Sequence, residues 1–313
     1  MGSVQHSPAS TILSEDQWLP RQAAYEQRVH PFTDGYLQRR SAGRKHPVED
    51  FLFTYYSQKP GQLLRWHPGA GVVLTGPAAA QRLDWKFYRP LTDEERAGAG
   101  LEPAMTAVTV DLGAFTAARG PAVEFTRMLL SRTAARKPSL GCFGMHEWAM
   151  AYKSEVNGIR HEYLGLRLGA EGTDELVEQS RIRCTHFDAF RFYAPQAVSL
   201  NELTPSRENQ RDLEQPGCLH ANMDLYKWAY KLVPLLPGEL VMDCFELAWR
   251  IREMDMRASP YDLQDWGYEA IPVETPAGRA RYASAQRAFT EESQHLRARI
   301  LELLEPFQEQ LDG

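Results

Sequence analysis

From Leu219 to about Gln310 the apolar residues recur every three or four positions in three successive stretches: Leu219–Val233, Gly238–Met256 and about Pro276–Gln310. That spacing lays an apolar stripe along one side of a helix, so the C-terminal part is predicted to be three consecutive helices packed on a shared core. Val123–Ala135 has the same spacing, and Pro47–Tyr56 reads as a helix with proline in its first turn. Strand signals are confined to Val72–Leu74 and Val108–Val110, with a poorer alternation over Ile182–Tyr193. The expectation is a mainly α protein: a single large helical domain with a minor β element. The polar, glycine-containing run Arg39–Lys45 reads as a linker. It divides an N-terminal helical arm and linker (residues 1–45) from a helical catalytic domain (residues 46–313).

Length and composition enter as limits. A chain of 313 residues, 43% of them hydrophobic, can bury a sizeable core. Its longest apolar runs, such as Leu232–Leu236, are far too short to span a bilayer. Met1–Ser14 lacks the basic start and apolar stretch of a signal peptide, and the four widely spaced cysteines form no Cys-x-x-Cys. A cytoplasmic protein with reduced thiols is expected. The formal charge of −6 disfavours tight binding to a long nucleic acid, which needs a basic face that releases counterions. Arg181, Arg183, Arg191, Arg207 and Arg211 nevertheless cluster in sequence. They either hold a phosphate or pair with Glu202, Glu208, Asp212 and Glu214.

The chemistry concentrates between Cys142 and Tyr230. Three blocks repeat one theme: Cys142 with His146 and Glu147, Cys184 with His186 and Asp188, and Cys218 with His220 and Asp224. The i, i+4 spacing of His220 and Asp224 places both on one face of a helix, as two metal ligands or an acid and its orienting partner require. His161-Glu162 adds another pair. Imidazole and carboxylate together suit Fe, Mn or Zn, with His146, His186 and His220 as the candidate ligands, although no His-Glu-x-x-His is present. The same groups also suit metal-free acid–base work, with Asp188, Glu147 or Asp224 as the base and a histidine tuning it. In a third reading they are satisfied polar groups at helix ends. Tyr55, Tyr56, Trp66, Trp148, Phe187 and Tyr226 are candidates for stacking on a flat ring, with Arg191 beside them, and the remaining aromatics are core.

The strings His46–Tyr56, Arg65–Gly69, Thr185–Phe192 and Gly217–Asp224 resemble an actinobacterial group commonly labelled 3-methyladenine DNA glycosylase. The resemblance covers nearly the whole chain beyond the arm. It implies hydrolysis of an N-glycosidic bond to an alkylated purine or related base. For such a reaction the chemistry of the residues themselves points to Asp188 as the group that stabilises the cationic sugar or activates water, with His186 and His220 assisting. Helix-hairpin-helix glycosylases carry a Leu-Pro-Gly-x-Gly hairpin followed by a catalytic Asp. Leu236-Pro237-Gly238-Glu239-Leu240 matches its start but has Leu240 in place of the last glycine, and Asp255 and Asp262 lie near the expected spacing. The residues taken alone support two further functions: a metal-dependent enzyme for a small planar or aromatic substrate, and a non-catalytic ligand-binding protein. The partner expected is a small molecule or nucleobase.

Overall fold

The computed structural model describes residues 11–311, with side chains described to residue 306. The first ten residues, on which the signal-peptide reading partly rests, lie outside the described residues.

The chain opens with β1 (Thr11–Leu13) and α1 (Glu15–Ser41), whose start is capped by Ser14 N donating to Gln17 Oε1 at 2.9 Å. Trp18, Tyr25 and Val29 on α1 are buried, and the Trp18 ring stacks on Trp66. Arg28 binds Asp243 and Glu246 at 2.7–2.8 Å. The helix of the N-terminal arm therefore lies along the body and contributes to its core. The turn that follows is organised by side chains: His46 Nδ1 accepts from Val48 N and Glu49 N, and Asp50 accepts from His46 N. These bonds delay regular helix, so α2 covers only Phe51–Tyr55 of the expected Pro47–Tyr56.

Three more strands follow: β2 (Val72–Thr75), β3 (Tyr88–Pro90) and β4 (Ala107–Val110). With β1 they form one four-stranded sheet in the order β1-β2-β4-β3, in which β1 pairs parallel with β2 and the other pairs are antiparallel. The expected segments at Val72 and Val108 are its two central strands.

The remainder is helical: α3 (Leu112–Ala134), α4 (Met145–Met150), α5 (Gly169–Gln179), α6 (Phe187–Phe190), α7 (Gln210–Leu213), α8 (Leu219–Lys231), α9 (Gly238–Arg257) and α10 (Pro276–Leu311), with shorter turns between. The protein is mainly α, a single domain with a small sheet. The extended reading of Ile182–Tyr193 is corrected. Ile182 makes one isolated bridge to Asn201, whose side chain bonds both backbone groups of Cys184, and the chain then turns into α6. An amide side chain stands where a neighbouring strand would be, so the aromatic β-formers have no ladder to join.

α8 and α9 pack along each other, and α10 packs on both and on α3. α8 is enclosed on all sides, with Leu219, Met223, Leu225 and Tyr226 at 3% exposure or less. Such side chains each contribute roughly 1.5–3 kcal/mol by burial. The same enclosure strips water from the polar residues that α8 carries: His220, Asn222 and Asp224. Among the described residues no helix is long and apolar enough to cross a membrane.

Candidate metal centre

Four segments bring the polar residues together around α8. His146 and Glu147 sit in α4, which begins after Gly144 in a left-handed conformation (φ +70°) that glycine adopts without strain. Trp148 Nε1 donates to Ala258 O at 2.9 Å, fixing α4 to the end of α9. His186 immediately precedes α6, and Glu214 follows α7. The turn leading into α8 is held by Gln215 Oε1, which accepts from Ser139 N and Gly217 N at 2.8 and 2.7 Å. A Cβ at Gly217 would lie 2.5 Å from Ser139 O, so glycine permits this approach. From α10, Gln286 donates to Gly217 O and Arg297 to Asn222 Oδ1, bracing the same turn.

The donors fall into two triads: His146, His220 and Asp255, and His186, Glu214 and Asp224. Within each, one ligand atom per residue lies within 4.8 Å of the others, and all six residues are buried, at 8% exposure or less. His220 and Asp224 are one turn apart on α8, about 6 Å along its axis, so the i, i+4 spacing assigns one member to each triad instead of two to the same one. The three histidines expected to act together are neighbours, with ring centroids of His220 4.3 Å from His146 and 5.4 Å from His186, but they belong to different donor sets.

In the first triad His146 Nε2 lies 3.1 and 3.2 Å from the Asp255 oxygens, and its Nδ1 is 3.8 Å from Cys142 Sγ. Burial alone would lower the His146 pKa, but the Asp255 carboxylate beside it prevails and raises it well above the ordinary value. For His220, burial and then the neighbouring His146 act in the same direction, and its pKa falls well below the ordinary value. Next to this pair, Arg252 donates to Glu147 at 2.8 Å, lies 3.6 Å from Asp255 and covers the Phe51 ring. Burial of Glu147 would raise its pKa, yet Arg252 brings it down to about 2.

In the second triad His186 Nε2 is 3.5 Å from Glu214 Oε1 and 3.4 Å from Asp224 Oδ2, but neither ring nitrogen has a hydrogen-bond partner among the described residues. Tyr56 OH donates to Asp224 Oδ1 at 2.9 Å, and Lys227 forms an ion pair with the other oxygen while reaching Asp188 at 3.5 Å. Lys227 and His186 hold Asp224 below its ordinary range against the opposite effect of burial. Glu214 is pushed up, chiefly by burial.

The other expected residues occupy varied places. Asp188 is partly exposed and paired with Arg191 at 2.9 Å. Tyr55 is half-buried and stacks on Phe51, and Phe187 is half-buried with Arg207 above its ring. Trp66 and Trp148 are core residues, and the buried Tyr226 hydroxyl has no hydrogen-bond partner among the described residues. His161 packs on Tyr261, with its pKa lowered to about 4 by burial. Of the clustered arginines, Arg181 and Arg183 both approach Glu202, Arg211 approaches Asp212, and Glu214 faces His186 instead of an arginine.

Beside His146 and His220 lies a cavity of about 20 Å³, also bounded by Cys142, Cys184, Cys218 and Tyr282, with room for one water or ion. It shares Ser139 and Arg183 with a surface groove of about 840 Å³ walled by Phe143, Met145, Leu168, Leu176 and Val273. The cavity thiols Cys184 and Cys218 are pushed up by burial, which disfavours them as nucleophiles.

No family model, curated protein or solved structure matches the chain. The resemblance to proteins labelled 3-methyladenine DNA glycosylase thus stands on its motifs alone.

Two site residues were not among the expected metal ligands. In the sequence Asp255 stands out only by its distance from Pro237-Gly238, and the structure makes that dipeptide simply the entry to α9. The stronger signal was a carboxylate in the apolar stripe of a helix, between Ile251, Met254 and Ala258. Glu214 lies between Leu213 and Gln215 in a mostly polar stretch of sequence, and only the fold reveals its burial.

The donor set passes the chemical test for a metal. Two imidazoles and one carboxylate leave coordination positions open, as in non-haem iron and hydrolytic zinc sites. Asp255 Oδ1 has no hydrogen-bond partner among the described residues although it is fully buried.

Proposed function

We propose that the protein is a metal-dependent enzyme whose His146, His220 and Asp255 bind Fe(II), Mn(II) or Zn(II) and which acts on a small organic substrate. The observation that carries this reading is the buried two-histidine, one-carboxylate triad with a water-sized cavity beside it. An ion there would polarise a bound oxygen or water. The chain's own part is to hold the two imidazoles through α4 and α8, to exclude bulk water, and to let a substrate approach from the neighbouring groove.

Elemental analysis of the purified protein tests this. One equivalent or more of Fe, Mn or Zn is expected, reduced by His220→Ala and by Asp255→Asn in protein that retains its circular dichroism. Protein that stays metal-free after incubation with each ion, while folded, would end the reading.

A second reading, hydrolysis of an N-glycosidic bond, is favoured by one observation: Asp188 is the carboxylate of this constellation that reaches solvent, and Tyr55 and Phe187 lie alongside it. Base release from methylated DNA or from a free nucleoside, abolished in Asp188→Asn, would support it. Absence of release from both would remove it.

A further inference from the structure

We infer that the second triad, His186, Glu214 and Asp224, is a second metal site, so that the centre takes two divalent transition-metal ions one helical turn apart on α8. The inference rests on the metal reading of the first triad and extends it. Three features separate this cluster from an ordinary buried ion pair.

The first is His186, which is 1% exposed with neither ring nitrogen hydrogen-bonded among the described residues, although Nε2 faces two carboxylate oxygens at 3.4–3.5 Å. Buried imidazoles are normally satisfied, and a group aimed at two acceptors without bonding either is arranged as a ligand set would be. The second is that the ligand carboxylates are already oriented from outside. Tyr56 donates to one oxygen of Asp224, Lys227 pairs with the other, and Gln210 donates to Glu214. Such outer partners fix a carboxylate while leaving lone pairs for an ion. The third is register. Because His220 and Asp224 are i, i+4 on one rigid, enclosed helix, a fold that builds the first triad presents the second beside it.

The two sites differ in surroundings. The first adjoins the cavity. The second is bordered by Tyr56 and Lys227 and carries two carboxylates to one imidazole, a harder donor set. The first is then the ion that meets substrate, and the second is an enclosed ion that sets the charge around it.

Cobalt(II) titration of full-length protein stripped with a chelator tests the inference, with visible absorbance and elemental analysis after desalting as readouts. Wild type is expected to bind two equivalents, Glu214→Gln and Asp255→Asn one each, and the double variant none. Wild-type saturation at one equivalent that Glu214→Gln retains and Asp255→Asn loses would overturn the second site and leave the first. No binding at all would overturn both. The wild-type stoichiometry decides even if a variant fails to fold.

Discussion

His146 and His220 meet edge to face with ring centroids 4.3 Å apart, and their surroundings drive their protonation in opposite directions. The Asp255 carboxylate favours protonation of His146, whereas burial and the neighbouring His146 disfavour protonation of His220. If the first triad binds metal as proposed, the ion competes there with a proton that Asp255 favours on His146.

Under the proposed function, metal binding displaces that proton. Affinity for cobalt(II) should rise by about tenfold per pH unit until the raised pKa of His146 is passed, then level off. Titrations across neutral pH, with proton release measured calorimetrically in buffers of different ionisation enthalpy, check this. A pH-independent affinity without proton release would contradict it.

The same proton affects stability with the opposite sign. Because the folded-state pKa of His146 is raised, its pairing with Asp255 stabilises the metal-free protein fully below the unfolded histidine value, and that stabilisation is lost as pH rises through the folded one. Thermal melts of metal-free protein should fall with rising pH over that window. Metal-loaded protein should not show this decline.

Glu147 and Arg252 form a buried pair at 2.8 Å, and removing one partner leaves a buried charge. Glu147→Ala should cost about 3–5 kcal/mol in urea unfolding at neutral pH. Since the Glu147 pKa is lowered from 4.5 to about 2, its contribution is present above 4.5 and lost as pH falls through about 2. The gap between wild type and Glu147→Ala should therefore close on acidification.

Trp148 is fully enclosed, with its indole N–H bonded to Ala258 O. Trp148→Ala should cost about 3–5 kcal/mol, as large-to-small core changes do. If its ring instead served to stack a substrate, the melting temperature would hold and only ligand affinity would fall. Melting curves alone distinguish the two.

The parts of the fold legible in the sequence were those governed by local periodicity. α8, α9 and α10 follow the 3.6-residue spacing of their apolar residues, and β2 and β4 follow runs of valine. β1 and β3 are three residues each and exist because longer-range partners at Val72–Leu74 and Val108–Val110 receive them, which no local signal announces. The histidine blocks were visible as motifs, but their division into two donor sets depends on where α9 delivers Asp255 and where the turn before α8 delivers Glu214. Those positions are set by packing between segments far apart in the chain.

α10 braces the turn ahead of His220 through Gln286 and Arg297, and Tyr282 closes the cavity next to it. During synthesis every donor of both triads leaves the ribosome before those three residues do. The nascent chain thus carries the residues of both triads before it carries the side chains that brace them. Under the proposed function, tight metal binding would await the docking of α10 on the turn that it braces.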